Sequence, residues 1–179
     1  MNKTVSAFNL DAILQEGLKK DKHVVLPLNL DYKEIPEGIR TWNLGDEKRL
    51  FALNKSIITK TKDLVLAYRM NLALYLEHGD DGINVYEKTI DYIKEMAPNV
   101  PVLSVMDLVG SDIKEDNSIQ QIIKDDLKNE CKTFVINAPN EMVFIQKAEG
   151  FAFEIRKKLE KLNENILKTK KQVLASHIS

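Results

Sequence analysis

Polar and charged side chains follow three apolar runs of the sequence, in the position where strand ends of α/β proteins bind ligands. These residues, in chain order, are Asn29 and Asp31, then Arg69 and Asn71, then Asp107 and Asp112. An arginine beside two amides could bind a phosphate or carboxylate through paired hydrogen bonds. Alternatively, an ion pair from Arg69 to Asp107 or Asp31 would fill the site from within. We take the six residues as the candidate ligand site and leave both interpretations of Arg69 open.

No motif for a metal or a cofactor accompanies this group. The acidic loop from Asp107 to Asp116 could hold a divalent cation through oxygen ligands, but such runs are more often solvated. The three histidines are scattered without ligand spacing, and the segment Gly-Asp-Asp-Gly lacks the lysine and preceding strand of a phosphate-binding loop. We therefore expect no catalytic metal and no cofactor.

Four short apolar runs predict the strands that position the candidate site: residues 23–28, 64–68, 100–106 and 133–137. They are rich in Val, Leu and Ile without strict polar alternation, which is typical of parallel strands covered on both faces. Segments with apolar residues three and four apart lie between them and predict helices. The alternation indicates an α/β fold built from βα units with right-handed crossovers.

The carboxyl-terminal segment has a different pattern, which predicts one or two helices over residues 142–175, interrupted at Gly150. Its apolar residues at four-three-four spacing are Ile155, Leu159, Leu162 and Ile166. This seam could pack on its own domain or dock onto another chain. We accordingly divide the chain into a βα domain, residues 1–140, and a helical extension, residues 141–179.

Composition limits the class of protein. The chain has 179 residues, 44% of them hydrophobic, which suits one globular domain. Its 26 basic and 27 acidic residues give no reason to expect nucleic acid or an anionic membrane as a partner. One cysteine and the absence of a long apolar segment favour a soluble protein of the reducing cytoplasm.

Three segments resemble the bacterial orotidine 5'-phosphate decarboxylases, in the order in which that family has them. Residues 51–95 resemble the second βα unit, where the family reads F-x-F-N-K-x-I-I, A-Y-K-P-N-x-A-F-Y-E, G-x-x-G and E-K-T-x-x-Y. VVLPLNLDYKEIPEG resembles the first strand and its loop, V-G-L-D-x-D and K-x-I-P, and FVINAPNEM resembles the fourth strand, V-x-A-P-Y-M-G. The resemblance implies a (β/α)8 barrel with its active site at the carboxyl ends of the strands.

The resemblance also implies a catalytic array of alternating lysines and aspartates, from which this chain departs. Asn29 stands at the position of the first-strand aspartate, and Arg69 at that of the second-strand lysine, whereas Asn71 is kept. A guanidinium keeps its proton and cannot serve as an acid of matched pKa. After the third strand, the family motif Asp-x-Lys-x-x-Asp aligns with Val105, Asp107 and Gly110, or two residues later with Asp107, Val109 and Asp112. The lysine is absent in both alignments.

Length is the second departure, because the chain ends before the later βα units and phosphate-binding loops of the family. We expect a partial βα barrel with open sheet edges, which a second copy or another protein chain would cover. Trp42 could anchor such a partner or be buried. The expected function is that of a pseudoenzyme in protein–protein interaction or in a larger assembly, including a virus particle. The alternatives are a nucleotide or phosphate sensor using Asn29, Arg69 and Asn71, and a retained or altered lyase using Asp107 or Asp112.

Overall fold

A computed structural model of the chain describes residues 7–29, 35, 39, 43–106, 136–138 and 150–176. Within these residues, helices separate the first three strands, as the apolar periodicity predicts. The elements are α1 (Ala7–Lys19), β1 (Val24–Pro27), α2 (Asp46–Thr61), β2 (Ala67–Asn71), α3 (Leu72–Leu76), α4 (Gly79–Met96), β3 (Val102–Val105), β4 (Ile136–Asn137) and α5 (Phe151–Ser176). None of the helices in these ranges is long and apolar enough to cross a membrane.

The four strands form one parallel sheet in the order β3-β2-β1-β4. Val25 of β1 lies beside Ala67 of β2, and Arg69 of β2 lies beside Leu103 of β3. The predicted α/β class and the partial βα-barrel arrangement are confirmed, since the described strands are parallel and form an open sheet.

The position of β4 differs from that of a fourth strand in a sequentially ordered barrel, which would lie next to the third. β4 instead pairs with β1 through Val24–Ile136 and Val25–Asn137. In a closed barrel the last strand occupies this side of the first one. β4 therefore covers an edge of β1 that would otherwise present unpaired backbone groups.

The second strand begins later than its apolar run predicts. Residues 64–66 precede β2, although Val65 and Leu66 are buried. Burial in a connection and burial in a strand give the same apolar signal, so the run alone does not locate the strand. β2 extends instead to Asn71, because β1 pairs with it as far as Arg69 and β3 pairs with it as far as Asn71.

The core lies between one face of the sheet and the helices. Leu26, Tyr68 and Met70 are buried in the same apolar cluster as Leu53 and Ile57 of α2. Because strand side chains alternate between faces, Arg69 and Asn71 lie on the opposite face from Tyr68 and Met70. The helices thus hold the sheet from one side and leave the candidate ligand residues on the other.

The carboxyl-terminal helix α5 packs on α2. Arg156 donates two hydrogen bonds of 2.8 Å to the carboxylate of Asp63, which follows α2, and Asn163 donates to the Leu64 carbonyl oxygen. The apolar seam lies against the domain: the residues Ile155, Leu159 and Ile166 are buried in the core cluster, and Leu162 is partly buried. The first of the two alternatives for this seam is the one that the structure shows.

Candidate functional site

The carboxyl ends of β1 and β2 lie side by side and form the centre of the candidate site. The backbone N–H of Leu28 donates to the carbonyl oxygen of Arg69 over 2.8 Å. One residue further along, the side-chain oxygen of Asn29 accepts a hydrogen bond of 3.0 Å from the backbone N–H of Asn71. The strand ladder is therefore continued by the Asn29 side chain, which fixes the relative positions of the two strand ends.

Asn71 ends β2 and begins the short helix α3. Its side-chain oxygen accepts a hydrogen bond of 3.1 Å from the backbone N–H of Ala73. Asparagine is favoured at a helix N-cap because it satisfies one of the backbone N–H groups that have no partner within the helix. Asn71 is also buried, with 8% of its surface exposed. Asn71 therefore caps α3 and also lies where the carboxyl ends of the strands meet, which is called the sheet edge below.

Arg69 provides the positive charge of the site. It lies in β2 between Pro27 of β1 and Leu103 of β3, and its side chain is half-buried. A guanidinium in this position can bind a carboxylate or phosphate with two parallel hydrogen bonds. The site can therefore attract and orient an anion at the sheet edge.

A buried polar network supports the end of β1 from below. The hydroxyl of Tyr75 in α3 donates to the Leu28 carbonyl oxygen over 2.6 Å. The amide nitrogen of Asn54 in α2 donates to the Tyr75 hydroxyl at 3.3 Å and to the Thr89 hydroxyl in α4 at 3.0 Å. All three side chains are buried. Three helices thereby fix the backbone immediately before Asn29.

Sequence reasoning missed this network, although the signal was present. Asn54, Tyr75 and Thr89 are polar positions in the segments that resemble the family, within N-K-x-I-I, F-Y-E and E-K-T respectively. A polar residue on the apolar face of a predicted helix needs a buried hydrogen-bond partner. That requirement could have identified the three as a group.

The two glycines of the G-x-x-G segment have different structural roles. Gly79 begins α4 with φ of +59°, a left-handed conformation that favours glycine. Gly82 lies within α4, where an added Cβ would be 1.9 Å from the carbonyl oxygen of Tyr75. The close approach at Gly82 allows α4 to pack against α3 and hold Tyr75 in the network.

Three of the six predicted site residues come together, and three lie outside the described residues. Asn29, Arg69 and Asn71 meet at the sheet edge, and Val105 lies beside Asn71 in the ladder between β2 and β3. Outside the described residues are Asp31, Asp107 and Asp112, as well as Trp42. The ion pair considered for Arg69 therefore stays a prediction. Among the described side chains, no group of three or more His, Cys, Asp or Glu could hold a metal ion.

Comparison with known proteins finds similarity over about half of the chain. An orotidine 5'-phosphate decarboxylase of Parabacteroides distasonis is 35% identical over 91 residues, which are 51% of this chain and 31% of that protein. The enzymes of the same name from Phocaeicola vulgatus and Clostridium kluyveri are 37% identical over 91 residues and 32% identical over 100 residues. These matches cover 51% and 56% of this chain, and 32% and 33% of those proteins. No protein-family model matches the chain.

The chain spans about a third of the length of the relatives it matches. The expectation of a pseudoenzyme is wrong, because these relatives are all named as an enzyme. That expectation relied on replacements at single positions, and a replacement such as Arg69 shows an altered residue without showing a lost reaction. No similarity supports the assembly role or the viral setting. The resemblance seen in the sequence is confirmed: over about half of its residues, this chain is similar to orotidine 5'-phosphate decarboxylases.

Proposed function

We propose that the chain acts in a lyase reaction of the orotidine 5'-phosphate decarboxylase type, with the nucleotide bound at the carboxyl ends of β1 and β2. The observation that carries the proposal is the hydrogen bond between Asn29 and the backbone of Asn71, which joins the two strand ends beside Arg69. The named activity of the similar proteins supplies the substrate class.

The position of this edge supports ligand binding. In parallel α/β proteins, ligands bind outside the carboxyl ends of the strands, above all where neighbouring connections leave in opposite directions. β1 has β2 on one side and β4, a much later segment of the chain, on the other. Asn29 therefore follows the strand at which the order of the sheet changes direction.

Arg69 suits the charge of such a substrate, which carries both a carboxylate and a phosphate. In a decarboxylation the carbon–carbon bond breaks, carbon dioxide leaves, and the electron pair stays on the ring carbon until a proton is added there. A fixed guanidinium stabilises negative charge at that carbon electrostatically. Because Arg69 cannot donate the proton, another group must do so. Asp107 and Asp112 are the candidates that the sequence offers.

The proposal is tested with the full chain by titration calorimetry against orotidine and uridine 5'-monophosphates, and by release of carbon dioxide from carboxyl-labelled orotidine 5'-monophosphate. We expect saturable binding of both nucleotides that depends on Arg69, and measurable release. Arg69→Met should weaken binding by about tenfold or more, because it removes a charged hydrogen-bond donor. Arg69→Lys keeps the charge and adds an acid able to donate a proton, so it should increase release.

Arg49→Lys is the matched control, since Arg49 lies in α2 and bonds to the exposed Asp46. It should leave binding and turnover unchanged. Failure of both nucleotides to bind would overturn the site, whereas binding without release of carbon dioxide would overturn the lyase reaction.

A further inference from the structure

A groove on the outer helical face separates the second half of α2 from the start of α5 and reaches α4. Its volume is about 540 Å³, which is within the range of small-molecule sites. The side chains that matter for its chemistry are Lys55, Thr59, Lys60, Tyr92, Phe151 and Phe153. They combine positive charge, hydroxyl groups and aromatic rings.

The groove is distinct from the edge that holds Asn29, Arg69 and Asn71. Its α2 residues lie in the last turns before Thr61, where the chain leads toward the beginning of β2. Arg69 and Asn71 lie at the other end of that strand, on the sheet face turned away from the helices. A ligand in the groove would therefore not contact the proposed nucleotide site.

Two lysines are held at the groove by aromatic rings. The ammonium nitrogen of Lys60 lies 4.3 Å from the ring centre of Phe153, and that of Lys55 lies 5.1 Å from the ring centre of Tyr92. Contacts of this kind orient a cation without neutralising it. No Asp or Glu is among the described lining residues, and neither lysine forms an ion pair with a residue that the structure describes. Both positive charges are thus available to an anion.

Hydroxyl groups and exposed rings provide the remainder of the surface. The hydroxyls of Thr59 and Tyr92 lie 2.9 Å apart, and Thr59 also donates to the backbone oxygen of Lys55. Phe153 is 54% exposed, and Phe151 at the start of α5 lies beside it in the lining. The first turn of this helix adds positive potential. Charge and flat apolar surface therefore occur in one concave site.

We propose that this groove binds a phosphate monoester that carries a flat ring. The phosphate lies between Lys55 and Lys60, and the ring packs against Tyr92, Phe151 and Phe153. The lysines supply charge-assisted hydrogen bonds to the phosphate oxygens, and the aromatic side chains bury the apolar part of the ligand.

The test uses phenyl phosphate and inorganic phosphate as probes in titration calorimetry with the full chain. Phenyl phosphate should bind at one saturable site and at least about tenfold more tightly than inorganic phosphate, because one buried ring contributes more than 1.4 kcal/mol. Lys55→Met and Lys60→Met should each weaken binding about tenfold through loss of a charged hydrogen bond. Lys48→Met, an exposed lysine of the same helix outside the groove, is the matched control and should bind like the unchanged protein.

Equal weakening in Lys48→Met would overturn the proposal, because the effect would then reflect overall charge. It would also fail if phenyl phosphate gave no saturable binding, or if both probes bound equally. Loss of phenyl phosphate binding in Arg69→Met, with retention in both groove variants, would assign the ligand to the sheet edge instead. Nucleotide titrations of Arg69→Met beside Lys55→Met and Lys60→Met test the other site separately, because only binding at the sheet edge depends on Arg69.

Discussion

At the scale of single residues, Asn29 shows how a replacement changes charge and preserves geometry. The resemblance places an aspartate at this position, and the asparagine removes its negative charge beside Arg69. Its oxygen still accepts the hydrogen bond from the Asn71 backbone at 3.0 Å. The strand ends therefore keep their alignment, while the balance of charge at the edge becomes more positive and more favourable to an anion.

Asn29→Ala should lower the free energy of unfolding by about 1–2 kcal/mol, because the partly buried N–H of Asn71 loses its acceptor. Asn29→Asp keeps an oxygen acceptor and should retain most of the stability. Urea unfolding at neutral pH measures both. Equal destabilisation by the two variants would show that the hydrogen bond is not what stabilises this edge.

At the scale of secondary-structure elements, close contacts between helices determine where the site-supporting groups lie. Helix α4 can approach α3 only because Gly82 has no side chain: the nearest atoms to an added Cβ belong to the backbone of Tyr75. Backbone atoms cannot rotate away as a flexible side chain can. The contact therefore fixes Tyr75, whose hydroxyl supports the carboxyl end of β1.

Gly82→Ala should destabilise the protein by about 2–3 kcal/mol through overpacking and the backbone shift it forces. The control is Gly45→Ala, because an added Cβ at Gly45 would meet nothing within 4 Å. Gly45 precedes α2, so that variant should cost only about 0.5 kcal/mol from the poorer cap. Thermal unfolding compares the two, and similar costs at both positions would contradict the close contact.

The ion pair between α5 and the end of α2 should give a small pH-dependent contribution to stability. Hydrogen bonds from Arg156 lower the pKa of Asp63 below its ordinary value of 3.8. The pair therefore stabilises the fold above that pH, and the contribution is lost as the pH falls through the lowered value. Since Asp63 is 57% exposed, solvent screening limits the expected effect to less than about 1 kcal/mol.

Asp63→Asn should therefore lower the free energy of unfolding slightly at neutral pH and leave it unchanged at acidic pH, where the unchanged protein has lost the ionised pair. Denaturant unfolding at both pH values checks this result. Asp91→Asn is the control, because the partner of Asp91 among the described residues is the exposed Lys94, three residues away in α4. A cost of Asp63→Asn that does not change with pH would exclude ionisation as its cause.

At the scale of the whole molecule, the sheet and the carboxyl-terminal helix share one core. Leu159 and Ile166 of α5 belong to the same buried cluster as Leu26 and Tyr68 of the sheet. A helix that buries its apolar side in this way cannot unfold without exposing the surface of α2. The division into a βα domain and a helical extension thus describes the sequence pattern, while the packing links the two parts.

Leu159→Ala should destabilise the protein by about 3 kcal/mol, because it leaves a cavity in a fully buried position. The loss should appear in a single transition, with helix and aromatic signals changing together. Lys158→Ala, the exposed neighbour in the same helix, should change stability by less than about 0.5 kcal/mol. Separate transitions for the two signals would instead show that α5 unfolds independently of the sheet.

Residue types and spacing were enough to predict the α/β class, the parallel strands and the group formed by Asn29, Arg69 and Asn71. The spacing of apolar residues follows the number of residues per turn of a helix or per repeat of a strand. Residues that follow parallel strands lie together at the carboxyl ends of the sheet. The amino-acid sequence also shows the family resemblance, because strings such as N-K-x-I-I contain residues of the buried network.

The long-range partners of these residues became known from the folded structure. It placed β4 beside β1, extended β2 through Arg69, and joined Asn54, Tyr75 and Thr89 in one network. It also showed that the seam of α5 packs on its own domain. An apolar or polar residue signals that it needs a partner, but the identity of that partner depends on how distant segments pack. The groove between Lys55 and Lys60 could not be predicted from the sequence for the same reason, since its residues come from three separate helices.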